Sequence, residues 1–109
     1  MLKSIVLSVL LYAGAMGSVG YAAEVKLPPM ADKGLYCHEV LIEIAKIMSA
    51  EGDRAGASAL RYYAQNWTAR VRSARSSDVN KVRAQYTAEA KKDVARKKYR
   101  HKDCGAVLN

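Results

Sequence analysis

Acidic residues are scarce in this 109-residue chain: there are 10 Asp and Glu against 18 Lys and Arg, for a formal charge of +8. That imbalance directs the search for partners toward anions. Cysteine is scarcer still, restricted to Cys37 and Cys104, and neither belongs to the Cys-x-x-Cys-His run that attaches haem. After residue 23 no apolar run is long enough to span a bilayer. Internal repeats, low-complexity tracts and sustained β-type alternation are lacking, which leaves helix as the only regular pattern. Sequence signatures of chemistry are lacking as well. The chain has no Gly-rich phosphate loop, no nucleophile elbow and no pair of His ligands one helical turn apart. Its acidic residues are scattered singly on polar faces rather than paired for acid-base work. The sequence therefore points to a protein that is not an enzyme, with no catalytic residues, no cofactor and no metal.

The one long uncharged stretch is at the start. Lys3 supplies a positive n-region, Ile5 to Tyr12 form an apolar h-region, and no acid precedes Glu24. Gly14, Gly17, Ser18 and Gly20 then weaken the helix ahead of Gly20-Tyr21-Ala22, whose small residues suit a signal peptidase. Residues 1–22 are read as a signal peptide cut after Ala22. The competing reading is an uncleaved anchor, which the glycines and serines of the second half disfavour. Cleavage removes only Lys3 among the charged residues, so the product keeps a charge of +7. It would be periplasmic or secreted and would carry no transmembrane segment.

The remaining residues are enough for a single domain of modest stability. In the oxidising compartment an exported chain meets, Cys37 and Cys104 are expected to form a disulfide. Cys37-His38 and His101-Lys102-Asp103-Cys104 also supply the ligand types of a zinc site. Adjacent helical residues point about 100° apart, however, and the spacing matches no common zinc signature.

Residues 23–33, with Pro28-Pro29, read as an extended lead-in to a helical domain over 34–109. The first helix is expected from about Gly34 to Glu51, with Cys37, Val40, Leu41, Ile44, Ile47 and Met48 on one face. His38, Glu39, Glu43 and Lys46 lie off that stripe. Gly52-Asp53 ends it, and Asp53 caps the second helix, Arg54 to Arg75, whose inward stripe is Leu60, Tyr63, Ala64, Trp67, Val71 and Ala74. Ser76-Ser77-Asp78 reads as the turn capping a third helix, with Val79, Val82, Tyr86, Ala90 and Val94 inward. The fold class is all-α: a small three-helix bundle, up-down-up or steeply crossed, closed by one disulfide.

A straight up-down-up bundle conflicts with that disulfide. It places Cys37 and Cys104 a helix length apart, about 27 Å, whereas bridged Cα atoms lie within about 7 Å. Either the third helix ends early and the chain runs back, or the helices cross steeply, or the bond joins two chains.

Charge is unevenly placed. Residues 23–60 hold 4 basic and 6 acidic side chains, and residues 61–109 hold 13 and 4. The densest segment runs from Lys91 to Lys102, where Lys91, Lys92, Arg96, Lys97, Lys98, Arg100 and Lys102 stand against Asp93 alone. These seven are the candidate anion-binding residues, with Tyr99 among them placed to stack or insert at an interface. An anionic envelope component or an acidic protein is the expected partner, and nucleic acid a less available one for an exported chain. The expected function is a non-catalytic binding or envelope-accessory protein. The alternative is a protein-binding module, such as an inhibitor, a chaperone-like factor or a component of secretion or conjugation machinery, in which charge only steers the partner.

Overall fold

The computed structural model describes residues 25–105. These form three α-helices in the order α1 (Pro29–Ala50), α2 (Arg54–Val71) and α3 (Ser76–Arg96). The expected signal peptide and its cleavage site lie outside the described residues.

α1 begins five residues before the expected Gly34, so among the described residues of the lead-in only 25–28 are non-helical. The Pro-Pro pair starts the helix rather than delaying it. Pro28 is held extended at ψ 152°, as a residue before proline must be. Pro29 follows at a position where the missing N–H has no intrahelical partner to lose. Gly52 adopts φ +94° in the connection after α1, and the Asp53 carboxylate accepts the Gly56 N–H at 2.8 Å, so the expected cap of α2 is present. α2 stops at Val71, short of Arg75. Ser76, Ser77 and Asp78 are the first helical residues of α3 rather than a turn before it, with Asp78 favourably placed in the first turn.

α1 is the central element. Ala31, Leu35, Tyr36, Cys37, Val40, Leu41 and Ala45 are all fully buried. α2 lies antiparallel along it through Ala57, Leu60, Ala64 and Trp67, a narrow seam of the 3-4-3 spacing that two antiparallel helices share. At Gly34 the two backbones approach closely: a Cβ there would sit 2.9 Å from the Trp67 carbonyl oxygen and 3.2 Å from the Val71 nitrogen.

α3 packs on the other side of α1 and crosses it steeply. Leu35 clusters with Val79 and Val82, Asp32 meets Tyr86, Glu39 meets Arg83 and Thr87, and Tyr36 meets Asp93. About 21 Å of α3 thus contacts about 12 Å of α1, and the partners follow no running order along the two helices. Because α3 packs mainly on α1 and meets α2 only near Val71, side chains flanking the rest of the α2 seam stay in solvent. Tyr63, expected inward, is 57% exposed, and Ile47 near the end of α1 is 46% exposed. Conversely Glu39 and Glu43, expected off the apolar stripe, are buried, since a central helix has little outer surface.

α3 ends at Arg96, and Lys97 takes the left-handed conformation, φ 56° and ψ 37°, that turns the chain back. The return brings Cys104 to Cys37, joined by a disulfide with Cα atoms 5.0 Å apart. Early helix termination and steep crossing together resolve the geometric conflict, within one chain. Trp67 Nε1 donates to the Cys104 carbonyl at 3.0 Å, tying the tail to α2 as well. Cross-linking residues 67 apart stabilises the fold by about 4 kcal/mol in the loop-entropy view.

Gly34→Ala is expected to lower stability by about 1–3 kcal/mol, because overpacking against α2 backbone outweighs alanine's higher helix propensity. The denaturation midpoint of the variant against wild type measures this.

Candidate anion-binding surface

The seven cations of the basic segment divide into two groups according to what lies beneath them. Asp93, 4% exposed, accepts the Tyr36 hydroxyl at 2.7 Å and Arg96 Nη2 at 3.1 Å. The Tyr36 oxygen in turn accepts the Arg100 backbone N–H at 2.8 Å. The Arg100 side chain bridges two helices. Its Nε and Nη2 donate to Glu89 on α3 at 2.8 and 3.2 Å, and its Nη1 donates to Asp32 on α1 at 2.7 Å. The guanidinium lies 4.7 Å from the centre of the Tyr36 ring. Asp32 also accepts the Tyr86 hydroxyl at 2.6 Å. Arg96 and Arg100 are therefore occupied by carboxylates of the fold.

The lysines are not. Lys91 and Lys92 are exposed on the last turns of α3, Lys97 and Lys98 in the reversal, and Lys102 in the returning tail. None of the five makes an ion pair among the described residues. Tyr99 is partly buried against the main core cluster rather than projecting for stacking. The division follows side-chain chemistry. A planar guanidinium can serve two carboxylates at once, as Arg100 does, whereas ammonium is a compact, strongly hydrated point charge.

The carboxylates respond as their partners require. Burial opposes ionisation of Asp32, but hydrogen bonds from Arg100, Tyr86 and His101 outweigh it and hold its pKa below the ordinary 3.8. Burial likewise opposes ionisation of Glu39, and His38 Nδ1, Thr87 and Arg83 outweigh it, keeping the group below 4.5. Burial and the hydrogen bond to Asp93 push the Tyr36 hydroxyl upward, and burial with the bond to Asp32 does the same for Tyr86. The hydrogen bonds to Glu89, ahead of those to Asp32, raise Arg100 against the effect of burial.

Both sulfurs of the Cys-His pairs are consumed in the disulfide. Among the described residues no group of three or more His, Cys, Asp or Glu side chains is arranged to hold a metal ion, and no helix is long and apolar enough to cross a membrane. The sequence gives no sign of Asp32 and Tyr36 as partners of Arg100, because helical periodicity carries no information across 64 to 68 residues, nor of Glu89, which only the reversal after α3 brings to Arg100. The one available signal was the disulfide. With Cys104 against Cys37, Arg100 and His101 fall within a turn or so of Asp32 and Tyr36. Protein-family models, curated proteins and solved structures were each compared with the chain, and none matches it.

Because Asp32 and Glu39 have folded-state pKa values below their ordinary ones, their contribution is complete above the ordinary carboxylate range and is lost as pH falls through the lowered values. Wild-type melting temperature is expected to fall below about pH 4. Asp32→Asn should be less stable at pH 7 by about 1–2 kcal/mol and should show a shallower acid decline, converging on wild type near about pH 2. Thermal melts across pH check both slopes.

Proposed function

We propose that the chain is an exported, non-catalytic binding protein that engages an anionic envelope polymer or surface through Lys91, Lys92, Lys97, Lys98 and Lys102. The observation that carries this reading is the division of the basic segment. The fold pairs its two arginines with its own carboxylates and leaves five lysines in solvent, two on the last turns of α3 and three on the tail pinned at Arg100 and Cys104. None of the five forms an ion pair with a carboxylate among the described residues, so their mutual repulsion works against stability unless an anion is close. Hydrated ammonium groups suit a polymer or head-group surface read by charge density rather than by bidentate geometry. The disulfide fits an oxidising compartment.

A second reading, a protein-binding module, draws on α2. Tyr62 and Tyr63 are 69% and 57% exposed, and the helix carries arginines with no acidic residue along its length. Tyrosine and arginine are enriched in protein interfaces.

Replacement of Lys91, Lys92, Lys97 and Lys98 by Gln is expected to leave helix content unchanged and to weaken binding to anionic vesicles or polymer at least tenfold at low salt. Each lysine near an anionic surface contributes about 1 kcal/mol. Rising salt should shrink the difference. If wild type binds no anionic surface at low salt, the protein-binding reading replaces this one.

A further inference from the structure

A groove of about 430 Å³ with mixed polar and apolar lining lies beside the disulfide, between Lys33 of α1, the face of α2 carrying Tyr63, Asn66, Trp67 and Arg70, and the tail at Asp103. Its size is within the range of small-molecule sites, about 300–1,000 Å³. Tyr63, Asn66, Trp67 and Arg70 follow one another at intervals of three, one and three residues, so a single strip of α2 supplies them. The Trp67 ring is fixed by its hydrogen bond to the Cys104 carbonyl. Two cations converge on it, the Arg70 guanidinium at 4.2 Å from the ring centre and Lys33 Nζ at 5.8 Å. Next to Lys33, Gly34 lets α1 approach α2 so closely that a side chain there would strike Arg70 Cβ at 2.8 Å.

The charges in the groove are not balanced. Lys33 is paired with Asp103, whereas Arg70 makes no ion pair among the described residues. Lys33, Arg70 and Asp103 together leave one positive charge without a counterion.

We propose that this groove binds a single carboxylate carried on a small peptide-like body, with Arg70 as its bidentate partner. The Arg70 fork matches a carboxylate's two oxygens. The Asn66 amide and the Tyr63 hydroxyl offer further donors on the same strip, and the edge of Trp67 offers apolar contact. One negative charge completes the balance. A dianionic phosphate would overshoot it and meet repulsion from Asp103, whose side chain is 67% exposed at the rim. The site is independent of the lysine surface and stands whether or not that surface binds polymer.

Trp67 is the only tryptophan in the chain, so its emission reports the groove directly. The full chain is titrated with N-acetylalanine, with its neutral amide and with inorganic phosphate. N-acetylalanine should change Trp67 emission saturably with a millimolar Kd, and the amide should not. Arg70→Gln, whose folding is checked by its thermal melt, should weaken the response at least tenfold. The variant with Lys91, Lys92, Lys97 and Lys98 changed to Gln should respond as wild type does. No saturable change with N-acetylalanine, an unaltered response in Arg70→Gln, or tighter binding of phosphate than of N-acetylalanine would each overturn the assignment.

Discussion

Arg100 reaches Asp32 on α1 and Glu89 on α3 at the same time only because the chain after Arg96 reverses and lies against the start of α1. The Cys37–Cys104 bond fixes the far end of that return, and the Arg100 backbone N–H on Tyr36 fixes its middle. Without the return, Asp93 and Tyr36 would still pair, but the covering segment over them would be gone. Asp32 would lose its guanidinium, and the Trp67 indole N–H would lose the Cys104 carbonyl. A small domain with few large apolar side chains depends on such links more than a large one does.

The same constraint gives the surface its character. Placing carboxylates under the basic segment draws in Arg100, whose planar fork satisfies Asp32 and Glu89 together, and Arg96, which reaches Asp93. The lysines, with flexible stems and strongly hydrated heads, are left outside. The free charge of the proposed anion surface is thus a consequence of how the interior is satisfied. The order imposed on the tail fixes the backbone that carries Lys97, Lys98 and Lys102, so an anionic partner has little disorder to overcome there.

Much of the fold was legible in the sequence. The three helices, the turn at Gly52-Asp53, the inward Leu60, Ala64, Trp67, Val79, Val82 and Ala90, and the disulfide follow from periodicity, capping chemistry and cysteine count. What escaped has specific causes. Pro28-Pro29 was read as a break because proline stops a helix from inside, although it starts one from the first position. Helical spacing puts Tyr63 and Ile47 on the apolar stripes, but it does not say how wide a strip the neighbouring helix covers. α3 packs mainly on α1 and meets α2 only near Val71, so the residues flanking the α2 seam remain exposed. Glu39 and Asp93 looked like isolated surface charges, since their partners come from distant segments that only the crossing angle brings near. The arginine-lysine division was illegible for the same reason, because charge density in a linear segment does not reveal which cations have carboxylates beneath them.

The central claim is that the tail is folded onto α1 and held there. Hydrogen exchange measured residue by residue on the oxidised protein tests it most directly, at the Arg100 backbone N–H, which donates to Tyr36, and at the Trp67 indole N–H, which donates to Cys104. Both should exchange only through openings nearly as costly as global unfolding, and both should lose protection in the Cys37→Ser, Cys104→Ser variant. Exchange of these two groups in the oxidised protein at the rate of an unstructured chain, while the α1 core amides stay protected, would contradict the account.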